Sequence, residues 1–111
     1  EDIEMASYNG KGAFVLPRAL QLKNGINTET ITGVHTLDYF DSQIQILTND
    51  SGVALDCYLP ALKDGAFFVV RSVGGNEIHV RDDATTYAVC ATGEACMVAC
   101  DGSSWYLVIK S

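Results

Sequence analysis

Positive charge is scarce in this chain. Lys and Arg number 7 against 14 Asp and Glu, for a formal net charge of -7. A protein that neutralises phosphates needs a clustered basic surface. The expectation is therefore no nucleic-acid partner, and no anionic membrane surface either. Long apolar runs are also missing. The best stretches, 66–70 and 105–109, have the length of strands and fall far short of the ~18 residues of a membrane span. Helical periodicity is nearly absent, and the one helix-like stretch, 16–22, contains Pro17, which breaks a helix interior. The basic start of a signal peptide is missing too: the chain opens Glu1, Asp2, Ile3, Glu4, so synthesis in a cytoplasm is expected.

Cysteine is sparse and its spacing is uninformative for metals. Cys57 stands alone, and Cys90, Cys96 and Cys100 follow as C-x5-C-x3-C. Structural zinc sites are built on C-x2-C or C-x4-C knuckles, so no metal and no cofactor is expected. On a strand, even separations place Cys96 and Cys100 on one face. Buried, unoxidised hydrophobes are the favoured reading, with a disulfide to Cys57 as the alternative.

Catalytic signatures are missing as well. His35 and His79 share no metal-binding or nucleophile-activating spacing. His79 sits between Glu77 and Arg81 on an alternating strand, where a cross-strand polar pair is expected. Ser103 and Ser104 lack the nucleophile elbow. Asp50, Asp64, Asp82, Asp83 and Asp101 fall at turn signals and read as solvated turn residues. The chain is not expected to be an enzyme.

What the sequence does contain is strands. Residues 43–48 alternate polar and apolar, which places Ile44 and Ile46 toward a core. Residues 53–59 follow a turn at Asn49, Asp50, Ser51 and Gly52, with Val53, Leu55 and Cys57 on one face; Pro60 ends the run. Residues 66–70 are apolar on both faces, as a covered central strand would be. Gly74, Gly75 and Asn76 give a hairpin signal, and Ile78 and Val80 point inward after it. Strands at 86–91, 95–100 and 105–110 complete the series, the last pair joined by a hairpin at Asp101 and Gly102. About seven short strands at even spacing predict an all-β, antiparallel β-sandwich or small β-barrel. No internal repeat is visible.

The N-terminal third differs. Residues 1–36 begin acidic, are rich in Gly, and carry one apolar cluster, Phe14, Val15, Leu16, Leu20 and Leu22. They are read as an extended N-terminal arm; residues 37–111 are the sandwich or barrel domain. Trp105 and Tyr106 are adjacent on a strand and so face opposite ways, one to the core and the other available as a surface anchor.

Four short segments carry a resemblance. Thr48, Asp50, Ser51 and Gly52 open one strand; Leu59, Pro60, Ala61 and Gly65 form a turn; Asn76, Ile78 and Val80 form a strand start; Asp101, Gly102 and Trp105 open the last strand. Over residues 44–108 this resembles the small β-modules of tailed-bacteriophage virion proteins, most of all capsid decoration (cement) proteins. The resemblance implies a structural protein on the outer capsid surface of a virion, made in the host cytoplasm. Its partner would be the major capsid protein, and its form a homotrimer. The expected contact residues are Phe14, Val15, Leu16, Leu20, Leu22, Trp105 and Tyr106. The alternatives are a tail, fibre or baseplate appendage that binds a host glycan, and a small secreted binding domain with an intramolecular disulfide.

Overall fold

The computed structural model describes residues 24–111, together with Leu22 and the backbone of Ser7–Tyr8 and Phe14–Val15. Among these residues the protein is all-β, with no helix. Strands β1 (Ser7–Tyr8) and β2 (Phe14–Val15) pair antiparallel as a separate ribbon. The others are β3 (Ile26–Thr30), β4 (His35–Thr36), β5 (Ile44–Thr48), β6 (Leu55–Tyr58), β7 (Phe67–Val73), β8 (Ile78–Arg81), β9 (Thr86–Cys90), β10 (Ala95–Cys100) and β11 (Trp105–Lys110).

These nine strands form two sheets. The first has five strands in the order β11-β10-β7-β5-β3, and the second has four in the order β4-β6-β8-β9. From β3 to β8 the chain alternates between them, so β3, β5 and β7 lie parallel in one sheet and β4, β6 and β8 parallel in the other. A parallel pair needs a crossover rather than a tight turn; here the crossover is the strand placed in the opposite sheet. Within these two sheets only the last strands turn back locally, with β8-β9 and β10-β11 as antiparallel hairpins and β10 antiparallel to β7. The expected antiparallel arrangement is thus corrected to a mixed one, and the sheets do not close into a barrel.

One core lies between the sheets. It is made by Leu47, Phe68, Val70, Cys96, Val98 and Trp105 from the first sheet, and by Cys57, Ile78, Val80, Ala88 and Cys90 from the second. Phe68 and Trp105 meet with ring centroids 6.2 Å apart.

Three expectations are revised. Residues 26–36, assigned to the arm by composition, instead supply an edge strand to each sheet, and Ile31 within them is buried. Gly74, Gly75 and Asn76 do not make a hairpin: they form the corner by which β7 in one sheet passes to β8 in the other. On β5 the facing is reversed. Gln45 (1% exposed) and Leu47 point inward, while Ile44 and Ile46 point outward, half-buried. The buried amide of Gln45 has partners that permit this. Its Oε1 accepts from Asn27 Nδ2 at 2.7 Å, and its Nε2 donates to the Ser42 carbonyl at 2.7 Å. A buried amide so satisfied carries little of the usual desolvation penalty.

Candidate functional site

The four segments that carry the resemblance come together in two pairs. At one end of the molecule Asn49 is fully buried and ties the turn after β5 to the start of β8. Its Nδ2 donates to the carbonyls of Val53 (3.0 Å) and Glu77 (2.8 Å). Asp50 Oδ1 accepts from Gly75 N at 2.8 Å, and Asn76 Oδ1 accepts from Gly52 N at 2.9 Å. Gly74 has φ of +96°, and a Cβ there would sit 2.6 Å from Asp50 Oδ1. At the other end Trp105 Nε1 donates to the Pro60 carbonyl at 3.3 Å. Gly102 packs against Asp64, and Ser103 N and Ser104 N donate to Asp101 Oδ1. Those two amides hold the Asp101 carboxyl below the usual carboxylate range. The motif residues therefore fasten corners of the fold.

The surface is divided sharply. The outer face of the second sheet is polar: Asp56, His79 and Val89 form one row across it, and Thr36, Tyr58, Arg81 and Thr86 another. His79 Nε2 lies 3.2 Å from Glu77 Oε1, and its Nδ1 lies 3.7 Å from Asp56 Oδ1. The outer face of the first sheet is apolar. One row crosses all five strands, Ile26, Ile44, Val69, Met97 and Ile109. Phe67, Ala99 and Tyr106 flank it on one side, and Thr28, Ile46, Arg71 and Ala95 on the other. Ile26 is 57% exposed and Ile109 64%.

Among the described residues, two of the clefts on the surface stand out. One, about 290 Å³, is lined by Leu22, Tyr39, Phe40 and Phe67 among others. It borders the apolar face at Phe67. An Asx turn, with Phe40 N donating to Asp38 Oδ1 at 2.9 Å, projects Tyr39 and Phe40 outward, and Lys63 Nζ sits 4.8 Å from the Tyr39 ring centroid. The second, about 400 Å³, is lined by Tyr58, Asp82, Asp83, Tyr87, Ser103 and Ser104 among others. Its Asp82 carboxyl is held low, first by the Tyr87 hydroxyl, which donates to Oδ2 at 2.5 Å. The same bond pushes the Tyr87 hydroxyl up.

No group of three or more metal-ligating side chains converges among the described residues. All four cysteines are free and buried. Burial, with Cys90 nearby, pushes the Cys57 thiol up to about 12, and the hydrogen bond between the Cys90 and Cys96 thiols raises Cys96. The raised thiols of Cys57 and Cys96 are poor nucleophiles and poor ligands, while the same hydrogen bond lowers Cys90.

Of the expected contact residues, the structure describes the side chains of Leu22, Trp105 and Tyr106. Leu16 and Leu20 lie outside the described residues, as do the side chains of Phe14 and Val15. Leu22 is half-buried at the first cleft. Trp105 is 3% exposed and belongs to the core, which removes it from the contact set. Tyr106, its neighbour, is 54% exposed on the apolar face. The row from Ile26 to Ile109 was not anticipated. Its signal was present in strands that are apolar in both phases, but the facing of β5 hid it. Compared with known proteins, the chain matches no family model, no curated protein and no solved structure.

Proposed function

We propose that the chain is a structural, non-catalytic module of a tailed-bacteriophage virion, folded as a β-sandwich-like pair of sheets. It binds the outer surface of the assembled capsid and stabilises the shell by bridging subunits of the major capsid protein. The observation that supports this reading is the pairing just described. The turn at Asn49–Gly52 docks on the corner at Gly74–Asn76, and the turn at Leu59–Gly65 docks on the hairpin at Asp101–Trp105. Segments that resemble a virion module one by one also fit each other in space, as the pieces of one module must.

The mechanism is linkage. A protein that binds only the assembled shell lowers the free energy of that state, and many symmetric copies multiply a modest contact. Apolar surface buried at the capsid contributes roughly 25 cal/mol per Å². The test is co-sedimentation of the full chain with empty expanded capsids of a tailed phage stripped of their own decoration protein. Saturable binding in register with the capsid lattice, with a raised thermal rupture point, is the expected result. A chain left wholly in the supernatant overturns the reading.

A second reading has one observation in its favour. The cleft lined by Tyr58, Tyr87, Asp82, Asp83, Ser103 and Ser104 combines ring faces with hydroxyl and carboxylate acceptors, as a sugar ring requires. A tail appendage would use that cleft for a host glycan. Glycan binding lost in Tyr58→Ala, without capsid binding, would favour it.

A further inference from the structure

The structure assigns the apolar outer face of the five-stranded sheet to a second copy of this chain, packed face to face about a two-fold axis that runs along the row Ile26, Ile44, Val69, Met97, Ile109. This goes beyond the capsid reading and stands without it.

The two outer faces of the molecule contrast in polarity. Both belong to the same molecule, and both are available to water among the described residues. One carries Asp56, His79, Tyr58 and Arg81. The other carries an unbroken apolar row across five strands. An antiparallel or mixed sheet with a solvated face normally alternates apolar-in and polar-out. The second sheet does so and the first does not. On β5 the departure is explicit: a glutamine is turned into the core while Ile44 and Ile46 face out. A contiguous apolar patch of this kind, half-buried at its centre and exposed at its ends, marks an interaction surface.

Charge limits where a second copy can sit. The chain has a net charge of -7, so two copies repel through most of their surfaces. The flanked row is the exception. No carboxylate lies on it, and Arg71 is its one charged residue among Ile26, Thr28, Ile44, Ile46, Phe67, Val69, Arg71, Ala95, Met97, Ala99, Tyr106 and Ile109. Self-association meets the least repulsion there.

Symmetry then fixes the geometry. An isologous pair sets the same patch against itself. With the axis along the strands, Arg71 would meet its own copy and like charges would oppose. With the axis along the row, each row residue meets its own copy and the flanking rows exchange. Arg71 then faces the row of Phe67 and Tyr106 on the other copy, where a guanidinium is favoured over an aromatic face. Five strands at ~4.8 Å spacing and five residues at ~3.3 Å give a footprint of roughly 24 by 17 Å on each copy. That falls below the size of stable specific interfaces, in the range of weak, transient pairs, so the pair is reversible and concentration-dependent. It is also a pair, in place of the trimer expected from the sequence.

The test is the mass of the full chain by sedimentation equilibrium across three decades of concentration. The expected result is a monomer–dimer equilibrium. Ile109→Glu, on an exposed end of the row, and Val69→Asp, at its centre, should each leave a monomer with unchanged far-UV circular dichroism. Val53→Asp, exposed on a turn away from the face, should dimerise as before. Because Val69→Asp also risks the fold, Ile109→Glu decides the matter if that variant does not fold. Ile44→Cys should be joined to its own copy by a short bis-maleimide, and His79→Cys should not. A monomer at every concentration, a trimer, or a dimer that survives Ile109→Glu overturns the proposal. Capsid binding can succeed or fail independently of each of these results.

Discussion

Asn49 donates from its side-chain amide to the carbonyl oxygen of Glu77, 2.8 Å away and 28 residues further along the chain. The same amide group donates to Val53 O, and its oxygen accepts from Ser51 N and Ser51 Oγ. The residue is completely buried, so no water replaces these partners. Asn49→Ala should lower stability by about 1–3 kcal/mol, since it removes one of the two donors to each of the Val53 and Glu77 carbonyls, and the acceptor of Ser51 N and Ser51 Oγ, from a buried corner. Asn49→Asp should be no milder, because it sets a carboxylate oxygen against those carbonyls. Urea denaturation with an unchanged m-value checks both.

Two glycines with similar backbones should respond differently to alanine. Gly74 and Gly93 have φ of +96° and +86°, and a left-handed residue with a Cβ costs about 1–2 kcal/mol. At Gly93 a Cβ meets open space, whereas at Gly74 it lands 2.9 Å from the Asn49 carbonyl oxygen. Gly93→Ala should therefore show only the backbone cost. Gly74→Ala should lose clearly more, because the Asn49–Asp50 backbone must move. Paired thermal melts separate the two.

The Asp82–Tyr87 pair gives stability a defined pH dependence. The Tyr87 hydroxyl lowers the Asp82 carboxyl, so this group stabilises the fold above its unfolded value of about 4, and the gain is lost as pH falls through the lower folded value. The Tyr87 hydroxyl is raised, so its gain is complete below about 10 and is lost as pH rises through the higher folded value. Tyr87→Phe should thus be less stable than the parent at neutral pH, with the difference narrowing at both extremes. The group is near the surface, so the effect is small. A difference that stays constant from strongly acid to strongly alkaline pH contradicts the linkage.

The thiols should be silent until the protein opens. All four are buried, and the Cys57 thiol at about 12 is almost wholly protonated at pH 8. Ellman's reagent should find no fast-reacting thiol in the native protein and four after denaturation. Fast native reaction at even one cysteine would mean that the core between β6, β9 and β10 opens readily.

The strands were legible in the sequence because alternation and turn chemistry are local. Ile78 and Val80 point inward as their pattern predicts, and Cys96 and Cys100 share the buried face. What failed was non-local. Gln43, Ile44, Gln45 and Ile46 alternate, and alternation fixes two faces without saying which is inside. The choice was made by Asn27, which supplies a donor to Gln45 from 18 residues away. The corner at Gly74 uses the same positive φ as a hairpin, so only the sheet that the next strand joins tells them apart. The alternation between sheets has no sequence repeat to announce it. For the apolar face, the residues were visible and their coplanarity was not, since the row exists only once five strands are in register.

The winding from β3 to β8 has a consequence for size. Each circuit lays one strand on each sheet and leaves the next circuit parallel to it, so the chain rises like a screw thread. Such a thread can gain or lose a whole turn between β4 and β7 without changing the register of what remains, as in other stacked architectures. A homologue longer by one circuit would keep the same corners and the same terminal hairpins. Its apolar face would simply be one strand wider.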